Sequence, residues 1–116
     1  MAKADIFSGI CGFTTHVEAH KNEADQVALT ISSECKSIQR LAAVLTEVDP
    51  FREFTFRGAG PLTLQMTSKY CAHAACPVAS GIIKAVEVEA GLALPADVSI
   101  RISQDLTEGD GNNLSS

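Results

Sequence analysis

The clearest pattern along the chain is an alternation. In FTTHVEAH, Phe13, Thr15, Val17 and Ala19 fall on one side, with Thr14, His16, Glu18 and His20 on the other. That is the period of a strand with one buried face. After the polar stretch KNEAD, QVALTIS repeats it, setting Val27, Leu29 and Ile31 against Gln26, Ala28 and Thr30. Two one-sided strands joined by a short polar loop predict a hairpin. The period then lengthens. Ile38, Leu41, Ala42 and Leu45 stand at helical spacing, so a helix is expected from a Ser32 or Ser33 cap to the break at Asp49-Pro50. A second helix is expected from Pro61, with Leu62, Met66 and Tyr70 in register. The most regular helix is PVASGIIKAVEVEAG, in which Val78, Ile82 and Val86 lie four apart. Pro77 suits its first position and Gly91 a left-handed cap. Finally DVSIRIS sets Val98, Ile100 and Ile102 against Ser99, Arg101 and Ser103, a third strand.

These elements predict an α+β fold. It is a two-layer sandwich in which a three-stranded, largely antiparallel sheet carries two or three helices on one face, in the order β-β-α-(α)-α-β. Residues 1–104 form a single domain, and 105–116 a polar tail that frays.

Composition narrows the function classes. The chain is 46% hydrophobic and 20% charged, which suits a folded domain able to bury a core without a metal or disulfide. Its net charge is −5, it has no Trp, and its nine Lys and Arg are scattered. Nucleic acid is therefore not expected as a partner. The apolar stretch from Ala79 to Leu94 is interrupted by Lys84, Glu87 and Glu89, so no membrane partner is expected, and MAKADIFSGICGF does not read as a signal peptide. The expected location is the cytoplasm. There, four cysteines point to free thiols, a metal site or a redox couple before structural disulfides.

Those cysteines carry the candidate chemistry. Cys76 is expected at the cap of the strongest helix and Cys35 in the first turn of the earlier one, where helix dipoles favour thiolate. Cys11, between Gly9 and Gly12, leads into the first hairpin strand, and Cys35 follows the second. The two should share one end of the sheet. His73 and Cys76, three apart, can reach one ion. Cys11, Cys35, His73 and Cys76, with Cys71 as a substitute, make a thiolate-rich set that suits zinc or an iron–sulfur cluster. Taken alone, Cys71 reads as core packing. His16 and His20 read as solvated strand positions, and Lys84, Glu87 and Glu89 as an exposed helix face.

No phosphate-binding glycine loop and no nucleophile triad can be assembled, so no catalytic residue is named and an enzymatic activity is left open. The leading expectation is a metal- or iron–sulfur-binding protein with a scaffold or accessory role. One alternative is a thiol redox or persulfide-handling protein cycling Cys35–Cys76 or Cys11–Cys76. Another is an interaction module, as a homodimer or with a protein partner, whose cysteines merely pack. For that module FREFTF, Phe51 to Phe56, is the contact surface if exposed, although core-capping aromatics are the first expectation.

ICGF, SEC and HAACPVASGIIKAVEVEAGLALPADVSI resemble a small uncharacterised prokaryotic domain family over nearly the whole chain up to Ile102. Cys76-Pro77, Ser80, Lys84 and the strand expected after Pro95 also resemble the C-terminal domain of NifU-like iron–sulfur scaffold proteins. That second likeness spans about a quarter of the chain and implies a cluster-carrying role. It departs from the pattern where His73 stands in place of the first family cysteine. Cys11 and Cys35 would then have to complete the ligand count.

Overall fold

A computed structural model describes residues 1–105. Within them a four-stranded antiparallel sheet in the order β1-β2-β3-β4 lies beneath a layer of helices. The strands are β1 (Ala2–Phe7), β2 (Thr14–Lys21), β3 (Val27–Ser33) and the short β4 (Glu47–Val48). The helices are α1 (Lys36–Val44), α2 (Pro50–Glu53), α3 (Leu62–Tyr70) and α4 (Val78–Glu89).

The expected hairpin is β2–β3, with Val17 opposite Ile31 and Ala19 opposite Leu29. Its turn is built by Asn22, whose side-chain oxygen accepts from the backbone N–H of Ala24 and Gln26 at 3.0 and 3.1 Å, an Asx turn. Thr15, Val17 and Ala19 are buried, as are Val27, Leu29 and Ile31, while the intervening His16, Glu18 and His20 face solvent. The sheet thus has one wet face and one dry face. α4 packs over β1 and β2, α1 over β3, and α3 against both helices. The core is closed by Ile38, Leu41 and Leu45 from the α1 region and by Val78, Ile82, Ala85 and Val86 of α4.

Several expectations need correction. The sheet has four strands and the helical layer four helices. β1 is not marked in the sequence because its inward row is Ala2, Ala4 and Ile6, too weakly apolar to show alternation. The first helix also stops at Val44, short of Asp49. Thr46 accepts from Leu29 N–H at 2.9 Å, and β4 then pairs Val48 with Val27, so sheet pairing takes over before the proline. Most consequential, DVSIRIS is no strand of this sheet. Every described residue from Gly91 onward is exposed, including Val98, Ile100 and Ile102 at 63%, 73% and 90%. Of the tail expected from 105, residues 106–116 lie outside the described residues.

α4 ends as expected. Gly91 takes φ +78°, Leu92 N–H reaches Glu87 O at 2.8 Å, and Gly91 N–H reaches Val88 O at 3.1 Å. This Schellman pair meets two of the free carbonyls in the last turn of the helix. Phe51, Phe54 and Phe56 cap no core: they are 63%, 51% and 81% exposed. None of the described helices is long and apolar enough to cross a membrane.

Candidate functional site

The sheet topology sets the end of the molecule at which the cysteines collect. Thr15 pairs with Ser33 and Thr14 with Phe7, so the β1–β2 loop carrying Cys11 and the β3–α1 junction carrying Cys35 lie at one end, as the hairpin argument requires. Cys35 is itself the residue that caps α1. Its N–H donates to Ser33 Oγ at 3.1 Å, and its carbonyl accepts from Gln39 N–H at 2.9 Å. Cys71 follows directly on α3, its N–H closing the last turn on Thr67 O at 2.9 Å. Cys76 stands one residue further out than expected, because Pro77 takes the cap position of α4. Between them, the N–H of Cys76 donates to His73 O at 3.3 Å, which folds HAAC into a turn.

Three of the four cysteines come together. Cys35, Cys71 and Cys76 are half-buried against the same core cluster. Burial pushes the Cys71 thiol above its ordinary value of 9.0. The neighbouring Cys76 and Cys35 push it the same way, and Arg40 on α1 pulls it back. Such influence falls off with separation. Cys71, His73 and Cys76 also line a cleft of about 390 Å³ with Leu64, Thr67 and Val78. All four cysteines are free thiols. Cys11 is exposed on its glycine-flanked loop, and it is not among the charges that act on Cys71. Among the described residues, no group of three or more His, Cys, Asp or Glu side chains is positioned to hold a metal ion.

A larger cleft of about 850 Å³ lies elsewhere, between β4, α2 and the loop to α3. Its carboxylates are occupied by the fold. Glu47 accepts from Asn22 Nδ2 at 2.7 Å, Asp49 caps α2 through Phe51 N–H at 3.0 Å, and Glu53 holds the start of α3. In the thiol cleft Thr67 and Ser68 bond back to carbonyls of their own helix at 3.1 and 2.7 Å.

Two features carry no mark in the sequence. Arg40 on α1 acts on Cys71, which lies far along the chain. Thr15 is fully buried, and its Oγ1 lacks a hydrogen-bond partner. Nothing in a strand-forming threonine signals that.

No curated protein and no solved structure matches the chain. Residues 2–102 do match one family, and the chain belongs to it: the Family of unknown function (DUF6951).

Proposed function

We propose that this protein handles sulfur through thiol–disulfide or persulfide exchange at Cys71 and Cys76, with Cys35 as a third thiol in reach. What carries the reading is that Cys71 and Cys76 line one cleft and that Cys76 and Cys35 both act on Cys71. Exchange needs only two sulfurs at a time, which fits a site where no set of three or more ligands converges.

The roles divide by environment. Cys76 lies beside the first turn of α4, where no side chain accepts from the free N–H groups, and it faces the cleft. As thiolate it attacks one sulfur of a disulfide or persulfide substrate, forms the new S–S bond, and releases the other sulfur as a thiolate. Cys71, kept protonated by burial, is the resolving thiol. On losing its proton it attacks the Cys76 sulfur and expels the bound fragment as a second thiolate. The substrate S–S bond is thereby reduced by two electrons and a Cys71–Cys76 disulfide is formed. A small dithiol resets the pair.

The test is differential alkylation read by peptide mass spectrometry, before and after exposure to a low-molecular-weight disulfide and then to dithiothreitol. The expected result is a single reversible link, Cys71–Cys76 or Cys35–Cys76. Three thiols that remain fully alkylatable after oxidant treatment would sink the proposal.

A second reading rests on the same thiols. Cys71 and Cys76, with His73 in the same cleft and Cys35 near enough to act on Cys71, are soft donors of the kind that suit zinc or an iron–sulfur cluster, and a scaffold or accessory role goes with it. Metal and sulfide content per chain after oxygen-free purification decides between the two. Stoichiometric metal that protects Cys35, Cys71 and Cys76 from alkylation supports this reading, and metal-free protein with an intact fold rejects it.

A further inference from the structure

We infer that the segment Val98–Ile102 is an exchange arm, which adds as a strand to the open β1 edge of a second copy of this chain while that copy's arm does the reciprocal. The inference is independent of the thiol site, since the arm contains no cysteine.

Four observations carry it. The first is the segment itself. Val98, Ile100 and Ile102 alternate with Ser99, Arg101 and Ser103, a strand pattern, yet the apolar row is 63–90% exposed. Isolated exposed apolar residues are ordinary, but a period-two row of β-branched residues with nothing on it is a strand lacking its sheet. The family match runs through Ile102, so the arm belongs to the domain.

The second is the sheet. Its two edges are β1 and β4. β4 is two residues long and flanked by α2, which blunts it. β1 is six residues long and contains no proline to deter pairing. Burial falls off towards it: on the helix side Thr15, Val17 and Ala19 of β2 are at most 1% exposed, whereas Ala4 and Ile6 of β1 are only half-buried. A fifth strand outside β1 would continue the row Ala2, Ala4, Ile6 with Val98, Ile100 and Ile102. Ser99 and Arg101 would then fall on the wet face with Lys3 and Asp5.

The third is the direction of the chain after α4. The Schellman turn at Gly91 and the restriction that Pro95 places on Leu94 keep the connection extended. Every described residue from Gly91 onward is exposed, so the arm does not pack on its own β1. The fourth is symmetry. A reciprocal exchange about a two-fold axis leaves no arm and no β1 edge unpaired, so the assembly stops at two.

The test uses the full chain under reducing conditions, so that a Cys11 disulfide cannot mimic the dimer. Light scattering after size exclusion, with sedimentation across a concentration series, should give twice the chain mass. Ile100→Lys should weaken association by roughly tenfold or more while leaving the far-ultraviolet circular dichroism unchanged. Deletion after Leu94 should give a monomer. Hydrogen exchange should show protection of 98–102 and of β1 in the dimer, lost together in Ile100→Lys. A wild-type chain that is monomeric throughout overturns the inference, with or without protection of the arm, because protection in a monomer means the arm returns to its own sheet. So does a dimer that survives both Ile100→Lys and the deletion.

Discussion

At the start of α3 the free backbone donors are met from inside the protein. The Glu53 carboxylate, fully buried, accepts from Leu62 N–H at 2.7 Å, from Thr63 N–H at 3.0 Å and from the Thr63 hydroxyl. At the start of α4 nothing comparable exists. Pro77 holds the cap position, no side chain accepts from the first turn, and the surroundings are Cys71, His73 and Cys76 around an open cleft. Both helix starts carry the same positive end of a backbone dipole. One is neutralised by a carboxylate and sealed in the core; the other is left facing thiols and solvent. A helix start that serves only the fold has its donors satisfied, and one whose donors are left open is available to stabilise a thiolate.

The comparison is broken most severely at Glu53. Glu53→Ala leaves two backbone N–H groups and a buried hydroxyl without an acceptor, and the expected loss is about 3 kcal/mol. It reads as a lower urea midpoint at unchanged slope. Glu53→Gln keeps the shape and one acceptor oxygen and should lose less than half as much. By contrast, Cys76→Ser should cost only about 1 kcal/mol, because no contact of comparable strength depends on it. A loss at Cys76 as large as that at Glu53 would mean that both helix starts are structural.

The seat of α4 comes next. Gly81 lies over β1, and a Cβ there would meet Ile6 Cγ1 and Cδ1 at 2.4 and 2.3 Å. Gly81→Ala should therefore destabilise by about 2 kcal/mol through overpacking, even though alanine favours a helix by about 1 kcal/mol over glycine. Ile6→Ala in the same chain should recover most of that loss, a coupling that a double-mutant cycle measures. If Gly81→Ala were neutral alone, α4 would not be held as close to the sheet as its position over the cleft requires.

How much of this was legible in the sequence follows from how strongly each feature is marked locally. β2, β3, α3 and α4 carry large apolar side chains at a clean period, and Pro77 and Gly91 bracket α4 within a residue of where they act. β1 was hidden because alanine serves helix, strand and loop alike. β4 was hidden because it is a two-residue consequence of tertiary pairing with Val27 and Ala28. At the site, the grouping of Cys35 with Cys76 could be argued from two helix starts. The exposure of Cys11 could not, since sharing a sheet end fixes position along the strand axis and not burial. The Glu53 contact links residues nine and ten apart through side-chain geometry, and no periodicity encodes it.

Beneath the first turns of α4, the comparison can be sharpened from the sheet side. Thr15 is the partner of Ile6 across β1–β2, and its buried Oγ1 lacks an acceptor or donor. Where Glu53 accepts from the donors of Leu62 and Thr63, this hydroxyl is a polar atom the fold does not use. Thr15→Val should be stabilising by about 1 kcal/mol, seen as a raised thermal midpoint. The same variant should leave the disulfide-exchange rate of the wild type unaltered. Destabilisation would show that the hydroxyl has a partner after all, and the floor of the α4 start would then be as closed as that of α3.

The smallest expected effect is on Cys71, which joins the end of α3 to the turn before α4. Its folded value is raised above 9.0, first by burial and then by Cys76 and Cys35. The folded protein therefore holds this proton to a higher pH than the unfolded chain does. Below pH 9.0 the thiol is protonated in both states, and its contribution to stability is fully present. As the pH rises past 9.0 towards the folded value, the unfolded chain ionises first and that contribution is lost. Urea unfolding of the wild type should accordingly weaken through this alkaline window, and Cys71→Ala should weaken less over the same interval. The direct check is iodoacetamide labelling of Cys71 against pH: the folded rate profile should lie at higher pH than that of the same cysteine in urea. Cys76→Ser and Cys35→Ser should each move the folded profile part of the way back, because each removes one of the two charges that oppose ionisation. A profile that neither substitution moves would mean burial alone holds the proton. The three sulfurs would then be neighbours without chemistry in common, and the α4 start would be open for no reason that sulfur supplies.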